Sequence, residues 1–352
     1  MSSIKRIADR KKGFSTLINN HNICFLSSVV QSLSNNYKFR YYISGVAKQD
    51  QSTFENDYQF VDTSDKKILS HFATLITTMW SKNYNITPSS FHNAFIDKFS
   101  EYTINNQHDA REFLFDLIGE LHTSLEQKVV CIKASEYSSI HYTGATTEWR
   151  NYFENKKSYI SDNFFGQYIK TFTCRNCSHV FYKYDPFLAL VIESKAQPIN
   201  ELINESLLTD YVPIECSECK EECLDPDDVP DHIRRREHSI DTNIFKLPDT
   251  MIISVSCFKS DSTKIMFKVQ PEDSLDFSKK SITNTDESVI YKLSSVIYHV
   301  GNTLSSGHYI TCVNKDDTQV IFDDDTFTND TSILQHKNCT PYVFFYDKMT
   351  SK

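Results

Sequence analysis

The segment Leu17-Ile18-Asn19-Asn20-His21-Asn22-Ile23-Cys24-Phe25-Leu26-Ser27-Ser28-Val29-Val30-Gln31-Ser32-Leu33 decides how the rest of the chain is read. From about Asn22 to Ser34 the apolar residues Leu26, Val29, Val30 and Leu33 recur at spacings of three and four, the period of a helix with one buried face. Cys24 stands at the start of that helix. A helix N-terminus presents unpaired N–H groups and a partial positive charge, which favour a thiolate over a thiol. The preceding Asn19-Asn20-His21-Asn22 is too polar for an approach to a core, and its amides can point donors at a developing oxyanion. The competing reading is a buried structural cysteine. A phosphatase-type loop is excluded, because no arginine follows Cys24 at phosphate-binding spacing.

Outward from this segment the pattern stays helical to about residue 125. Helices are predicted over Ile68 to Trp80, over Ser89 to Phe99 after Pro88, and from about Asp109 to His122. In the last of these Ala110, Phe113, Leu114, Leu117, Ile118 and Leu121 form one apolar face, with Asn105 or Asn106 as its cap. The stretch from Gln49 to Asp65 reads as loop, and residues 126 to 163 as an irregular insertion. The period then changes to extended. Strands are expected within Gln167 to Asp185, Thr250 to Phe258, Tyr291 to His299, His308 to Val313, Val320 to Phe322 and Pro341 to Tyr346. Between them Cys216 to Arg236 is charged enough to be an exposed excursion. Helices first and strands second make an α+β fold, with a helical N-terminal half and an antiparallel, β-rich C-terminal half.

Composition narrows the function. The chain has 352 residues, 10 cysteines, 7 glycines and a net charge of -9, from 37 Lys+Arg against 46 Asp+Glu. An acidic balance disfavours a general nucleic-acid binder and suits a basic partner. No apolar run reaches the roughly 18 residues of a membrane span, and Met1-Ser2-Ser3-Ile4-Lys5-Arg6 carries no apolar signal core. The expectation is an intracellular protein, cytoplasmic or nuclear, whose cysteines serve as thiols or metal ligands. Neither a Walker loop nor GxGxxG is present.

Two further constellations carry chemistry. In His299-Val300-Gly301-Asn302-Thr303-Leu304-Ser305-Ser306-Gly307-His308-Tyr309 two of the seven glycines sit beside histidines, and Gly307 suggests a backbone closed to other residues. His308 opens a strand as a candidate general base. Fifteen positions on, Phe322-Asp323-Asp324-Asp325 can return a carboxylate along a hairpin to orient the ring. The alternative is a satisfied strand histidine and a solvated acidic turn. Cys174-Arg175-Asn176-Cys177 and Cys216-Ser217-Glu218-Cys219 are CxxC pairs that together make a closed four-thiolate structural zinc site. Cys223 is an alternative to Cys219. Disulfides or a redox role for one pair are the competing readings.

Taken together and in this order, these residues resemble the ubiquitin-specific protease family of cysteine deubiquitinases. Leu17 to Leu33 is similar to the family's cysteine box, L-x-N-x-G-N-T-C-[YF]-x-N-S-x-x-Q-x-L. Gln107-His108-Asp109-Ala110-Arg111-Glu112-Phe113-Leu114 resembles Q-x-D-A-x-E-F-L. The paired CxxC, the histidine box, the Phe322-Asp323-Asp324 segment and Tyr342-Val343-Phe344-Phe345-Tyr346 follow, so the likeness spans about residues 17 to 346.

The resemblance implies a papain-like fold with a thumb (about 13 to 125), zinc-ribbon fingers (about 164 to 249) and a palm (about 250 to 348). These form one catalytic domain over 13 to 348, behind a basic arm of residues 1 to 12. It implies a thiol hydrolase acting after the C-terminal glycine of ubiquitin. Cys24 is then the nucleophile, His308 the base, Asp323 the orienting acid and Asp324 a secondary acid. Asn19 and Asn22 both match asparagines near the oxyanion, and the choice between them stays open. Asp109 matches a residue that contacts the ubiquitin tail, zinc is structural, and ubiquitin or ubiquitinated proteins are the partners. A non-catalytic ubiquitin-binding module and a protease for another ubiquitin-like modifier are the alternatives. Departures from the family pattern are His21 for glycine, Ser27 for asparagine, and Cys257-Phe258 where Arg-Phe is usual.

Overall fold

Apolar spacing of three and four curls the first third of the chain into helices around one core. The structure is a computed structural model that describes residues 12–49, 66–103, 105–128, 140–219, 235–260, 263–278, 280, 288–303, 306–315 and 318–349. The thumb region comprises β1 (Thr16–Leu17), α1 (Cys24–Asn35), α2 (Tyr37–Lys48), α3 (Lys67–Met79), β2 (Asn85–Ile86), α4 (Ser89–Lys98) and α5 (Ala110–Leu125). The apolar stripe of α1 is buried as its spacing requires, and so is that of α5, where Phe113, Leu114, Leu117, Ile118 and Leu121 are wholly enclosed. The predicted cap of α5 is corrected. Asp109, not Asn105 or Asn106, is the N-cap, its Oδ1 accepting from the amides of Arg111 at 2.6 Å and Glu112 at 3.3 Å. Asn105 is in the left-handed region, φ +68°, and is engaged elsewhere.

The irregular insertion expected over 126 to 163 is also corrected where it is described. It contains β3 (Gln127–Lys128), α6 (Ile140–Tyr152), β4 (Lys156–Lys157) and α7 (Tyr159–Phe164). Periodicity failed to reveal α6 because its packing residues are small. A Cβ on Gly144 would lie 2.6 Å from the Tyr184 ring, and Ala145 is buried with Ile169, Tyr184 and Phe245. Such a helix shows no leucine stripe.

The fingers and palm follow as β5 (Gly166–Cys174), β6 (Val180–Phe187), β7 (Ala189–Glu193), α8 (Ile199–Ser206), β8 (Asp210–Glu215) and β9 (Arg235–Lys246). After them come β10 (Thr250–Ser256), β11 (Ser274–Asp276), β12 (Ile290–Gly301), β13 (Gly307–Lys315), β14 (Thr318–Asp323), β15 (Thr326–Thr328) and β16 (Cys339–Lys348). The finger sheet is antiparallel in the order β6-β5-β9-β8. Its strands β8 and β9 went unpredicted because they are polar. The excursion expected from Cys216 to Arg236 is corrected at its described end, where Cys216 and Cys219 are buried. Residues 220–234, Cys223 among them, lie outside the described residues.

The palm sheet runs β15-β14-β13-β12-β16-β10-β7, with β11 added to β12 and β7 parallel to β10. Its central strands are buried on both faces, with Tyr342, Phe344 and Tyr346 of β16 fully enclosed. The cysteine helix lies against this sheet, where Thr311 Oγ1 of β13 donates to the Ser28 carbonyl of α1 at 2.9 Å. That contact sets the start of α1 beside the ends of β13 and β14.

Candidate active site

Cys24 is the first residue of α1 and is 3% exposed. The cap residue Ile23 makes no side-chain cap bond; instead its own amide donates to Asn19 Oδ1 at 2.8 Å. His308 is the second residue of β13 and Asp323 the last of β14. The register Thr311↔Phe322 closes the hairpin that brings them together. His308 Nε2 lies 2.7 Å from Asp323 Oδ1 and 3.9 Å from Asp324 Oδ2. Cys24 is close enough to the ring to act on its protonation. With Nε2 committed to Asp323, Nδ1 is the nitrogen left to face sulfur. Asp323 first, then Cys24, raise the imidazole to about 10 against the opposing effect of burial.

Asp324 is half-buried in the turn between β14 and β15. It adopts φ +49°, its carbonyl accepts from Leu17 N at 3.0 Å, and its Oδ2 accepts from Asn19 Nδ2 at 2.7 Å. Burial pushes its carboxyl up, and the Asn19 bond opposes that. Asn19 is thus oriented at both ends of its amide. Asn22 is directed elsewhere: Nδ2 donates to the Asn105 carbonyl at 2.7 Å, on the exposed side of the loop. His21, in the glycine position of the cysteine box, has Nδ1 3.0 Å from Asn105 Oδ1. The left-handed residue of this loop is Asn22, φ +57°, and not His21. The imidazole therefore occupies the position without backbone strain.

Asp109 is 6% exposed and fully engaged, since Oδ2 also accepts from the Tyr342 hydroxyl across the thumb–palm boundary. Two positions before it, Gln107 Oε1 accepts from Gly307 N at 2.9 Å. Sequence reasoning assigned no role to Gln107, although it stood in the quoted motif. The segment 105–109 therefore braces both sides of the cleft, the cysteine loop through Asn105 and the histidine strand through Gln107.

The glycines of the histidine box divide their work differently from the expectation. Gly301 has φ +146°, a conformation open to glycine. Gly307 is required for close approach, because a Cβ there would lie 2.1 Å from His299 Nε2. His299 itself is wholly buried, and neither ring nitrogen has a hydrogen-bond partner among the described residues. Burial lowers it to about 3, so it is neutral.

At the finger tip the β5–β6 turn and the end of β8 converge Cys174, Cys177, Cys216 and Cys219, with all sulfurs within 4.8 Å of one another. Cys174 and Cys219 are 3.9 Å apart, and Cys177 and Cys216 3.6 Å. Those distances exclude a disulfide, at about 2.05 Å. A tetrahedral zinc with Zn–S bonds of about 2.3 Å separates its sulfurs by about 3.8 Å, so the cluster fits structural zinc. Asn176 Nδ2 approaches Cys219 Sγ at 3.4 Å, an outer-shell donor to a thiolate. Cys257, Cys312 and Cys339 are buried in the palm, where burial pushes the first two to about 12 and the third to about 11.

Fold and site together define a thiol-centred α+β protein with a papain-like cleft. Residues 15–346 match the family model described as ubiquitin carboxyl-terminal hydrolase, and the chain belongs to that family. Among curated relatives, ubiquitin carboxyl-terminal hydrolase 2 of Rattus norvegicus is 28% identical over 352 residues, covering 96% of this chain and 54% of the relative. Its Drosophila melanogaster counterpart is 26% identical, over 97% of this chain and 35% of the relative. The chain thus spans about half the length of the rat relative. Ubiquitin carboxyl-terminal hydrolase 19 of Homo sapiens is 30% identical over 188 residues, 51% of this chain and 14% of that protein. A SAGA DUB module chain solved with monoubiquitin shares the fold, with a TM-score of 0.70 at 18% identity, covering 98% of this chain and 71% of that one.

Proposed function

We propose that this chain is a thiol-dependent deubiquitinase, hydrolysing the isopeptide or peptide bond after the C-terminal glycine of ubiquitin. The observation that carries the reading is the Cys24, His308 and Asp323 constellation in a family member, the imidazole 2.7 Å from the carboxylate and its protonation favoured by both Asp323 and Cys24. Cys24 sulfur attacks the scissile carbonyl carbon. The carbonyl oxygen gains charge as the tetrahedral intermediate forms, and His308 gives a proton to the departing amine as the C–N bond breaks. A water molecule, deprotonated by His308, then attacks the thioester, and the thiol is released. Asp323 holds the ring and favours its protonated form.

Asn19 rather than Asn22 is the oxyanion donor in this reading. One Nδ2 hydrogen is committed to Asp324 and the amide oxygen to Ile23, which fixes the direction of the other hydrogen. Asp324 serves as secondary acid by holding that amide. Asp109, its Oδ2 held by the enclosed Tyr342 hydroxyl, is the acidic element that meets ubiquitin's basic tail in this reading. Ubiquitin's body rests on the fingers, whose four cysteines hold a zinc that stabilises the ribbon and takes no part in the chemistry. Ubiquitin is the favoured partner because a structural neighbour binds monoubiquitin. All described cysteines are free, which suits a reducing compartment inside the cell. Among the described residues no helix is long and apolar enough to cross a membrane.

The test is turnover of a ubiquitin C-terminal fluorogenic amide. The wild type is expected to cleave it and Cys24→Ala to release nothing, whereas a wild type that binds ubiquitin without cleaving would favour the non-catalytic module. Cleavage of a different ubiquitin-like substrate in preference would move the reading to that modifier.

A further inference from the structure

Lys264 is a buried cation without a counter-ion. It is 9% exposed and has no carboxylate partner among the described residues. Its ammonium instead donates to three backbone carbonyls, His299 O at 2.7 Å, Asn338 O at 2.9 Å and Gly301 O at 3.1 Å. Desolvating an ammonium costs several kcal/mol unless donors are satisfied, so three acceptors at one head are a built site. The main chain around it reinforces the arrangement. Lys264 N donates to Asn302 O at 3.3 Å, and Thr263 bridges to Thr303.

The position of those carbonyls is what matters for the chemistry. His299 and Gly301 flank Val300, and Val300 is the register partner of His308 across the β12–β13 ladder. Gly301 pairs with Gly307 and also donates to Asn338 O, one of the carbonyls Lys264 binds. Lys264 thus fixes β12 on either side of the residue opposite the base, at the Gly301 end of the strand. On the β13 side of that end, Gln107 holds Gly307 N, next to His308.

We propose that Lys264 is a positioning residue for the reaction assigned above, its ammonium pinning the end of β12 so that His308 is held between Cys24 and Asp323. The inference rests on that functional reading, yet part of its test does not. A displacement of His308 by about an ångström is enough to cost on the order of 100-fold in turnover. Lys264→Met withdraws the ammonium from all three carbonyls, of which Asn338 O keeps the Gly301 amide, while Lys264→Gln keeps two N–H donors. Lys268 provides the control: it also caps carbonyls, those of Leu334 and His336, but touches neither β12 nor β13 in this way.

The experiment compares kcat and KM on the fluorogenic ubiquitin amide with the pH profile of Cys24 alkylation by iodoacetamide. Lys264→Met is expected to lower kcat about tenfold or more with KM within about twofold, and to alter the alkylation profile relative to wild type as thiol and imidazole uncouple. Lys264→Gln is expected to fall between wild type and Lys264→Met, and Lys268→Met to match the wild type. Three results would overturn the proposal: Lys264→Met within twofold of wild type in both readouts, Lys268→Met with an equal loss, or failure of both Lys264 variants to fold. If the wild type does not cleave the ubiquitin amide, the functional reading fails, and the alkylation profiles alone decide whether Lys264 positions His308.

Discussion

Asn19 donates from Nδ2 to Asp324 Oδ2 at 2.7 Å, joining residues 305 positions apart at the mouth of the cleft. This bond separates two asparagines that look equivalent in the cysteine box. Asn19→Ala is expected to reduce kcat by roughly 100- to 1,000-fold with a small change in KM, the loss typical of one oxyanion donor. Asn22→Ala, which removes only a bond to the Asn105 carbonyl, is expected to cost much less. Steady-state kinetics giving the reverse order would transfer the role to Asn22.

A methyl group at position 307 has no room, since it would meet the His299 ring at 2.1 Å. Gly307→Ala is therefore expected to displace His299 or the β13 backbone, at about 1–3 kcal/mol of stability, and to lower kcat because His308 is the next residue. Thermal unfolding measured beside kcat checks this. An active Gly307→Ala enzyme with unchanged Tm contradicts it.

The two histidines of the box give opposite pH slopes. His308 is raised to about 10 from an ordinary value near 6.5, so its contribution to stability is full below 6.5 and is lost as pH rises through 10. His299 is lowered to about 3, so the unfolded chain takes up its proton first. Its neutral burial then costs stability progressively as pH falls from 6.5 toward 3. Compared by Tm across pH, the deficit of His308→Ala relative to wild type should shrink from pH 7 to 10. His299→Phe should lose less than wild type between pH 6.5 and 4. Parallel curves for either pair would rule out the corresponding assignment.

Replacing Cys174 or Cys177 by Ser is expected to release zinc and to destabilise the fingers more than the thiol centre, because structural zinc contributes folding energy directly. Elemental analysis and hydrogen exchange at β5, β6 and β9 read this out. Purified wild type containing no zinc would refute it.

Much of this site was legible because its chemistry is written in short segments. Cys24 at a helix start, His308 at a strand start, and Asp323 one hairpin away each follow from local pattern. The CxxC pairs needed only spacing. What was hidden depends on distant partners. The cap of α5 was in fact local, Asp109 accepting from Arg111 and Glu112 just after it, but its second tie, to Tyr342, lies 233 positions away. Helix α6 packs through Gly144 and Ala145, and β9 is a polar strand made regular by neighbours on both sides, so neither carries its own period. Glycine was legible as necessary at Gly307 but for another reason, because the His299 ring that excludes a side chain comes from the facing strand.

Cys24 is the nucleophile proposed for ubiquitin's C-terminus. Its most direct test is incubation of the wild type with ubiquitin carrying a C-terminal electrophile, followed by mass spectrometry of the intact adduct and its peptides. One ubiquitin per chain attached at Cys24, with no adduct on Cys24→Ala, is the predicted result. An unmodified wild type, or labelling at another cysteine that persists in Cys24→Ala, would contradict it.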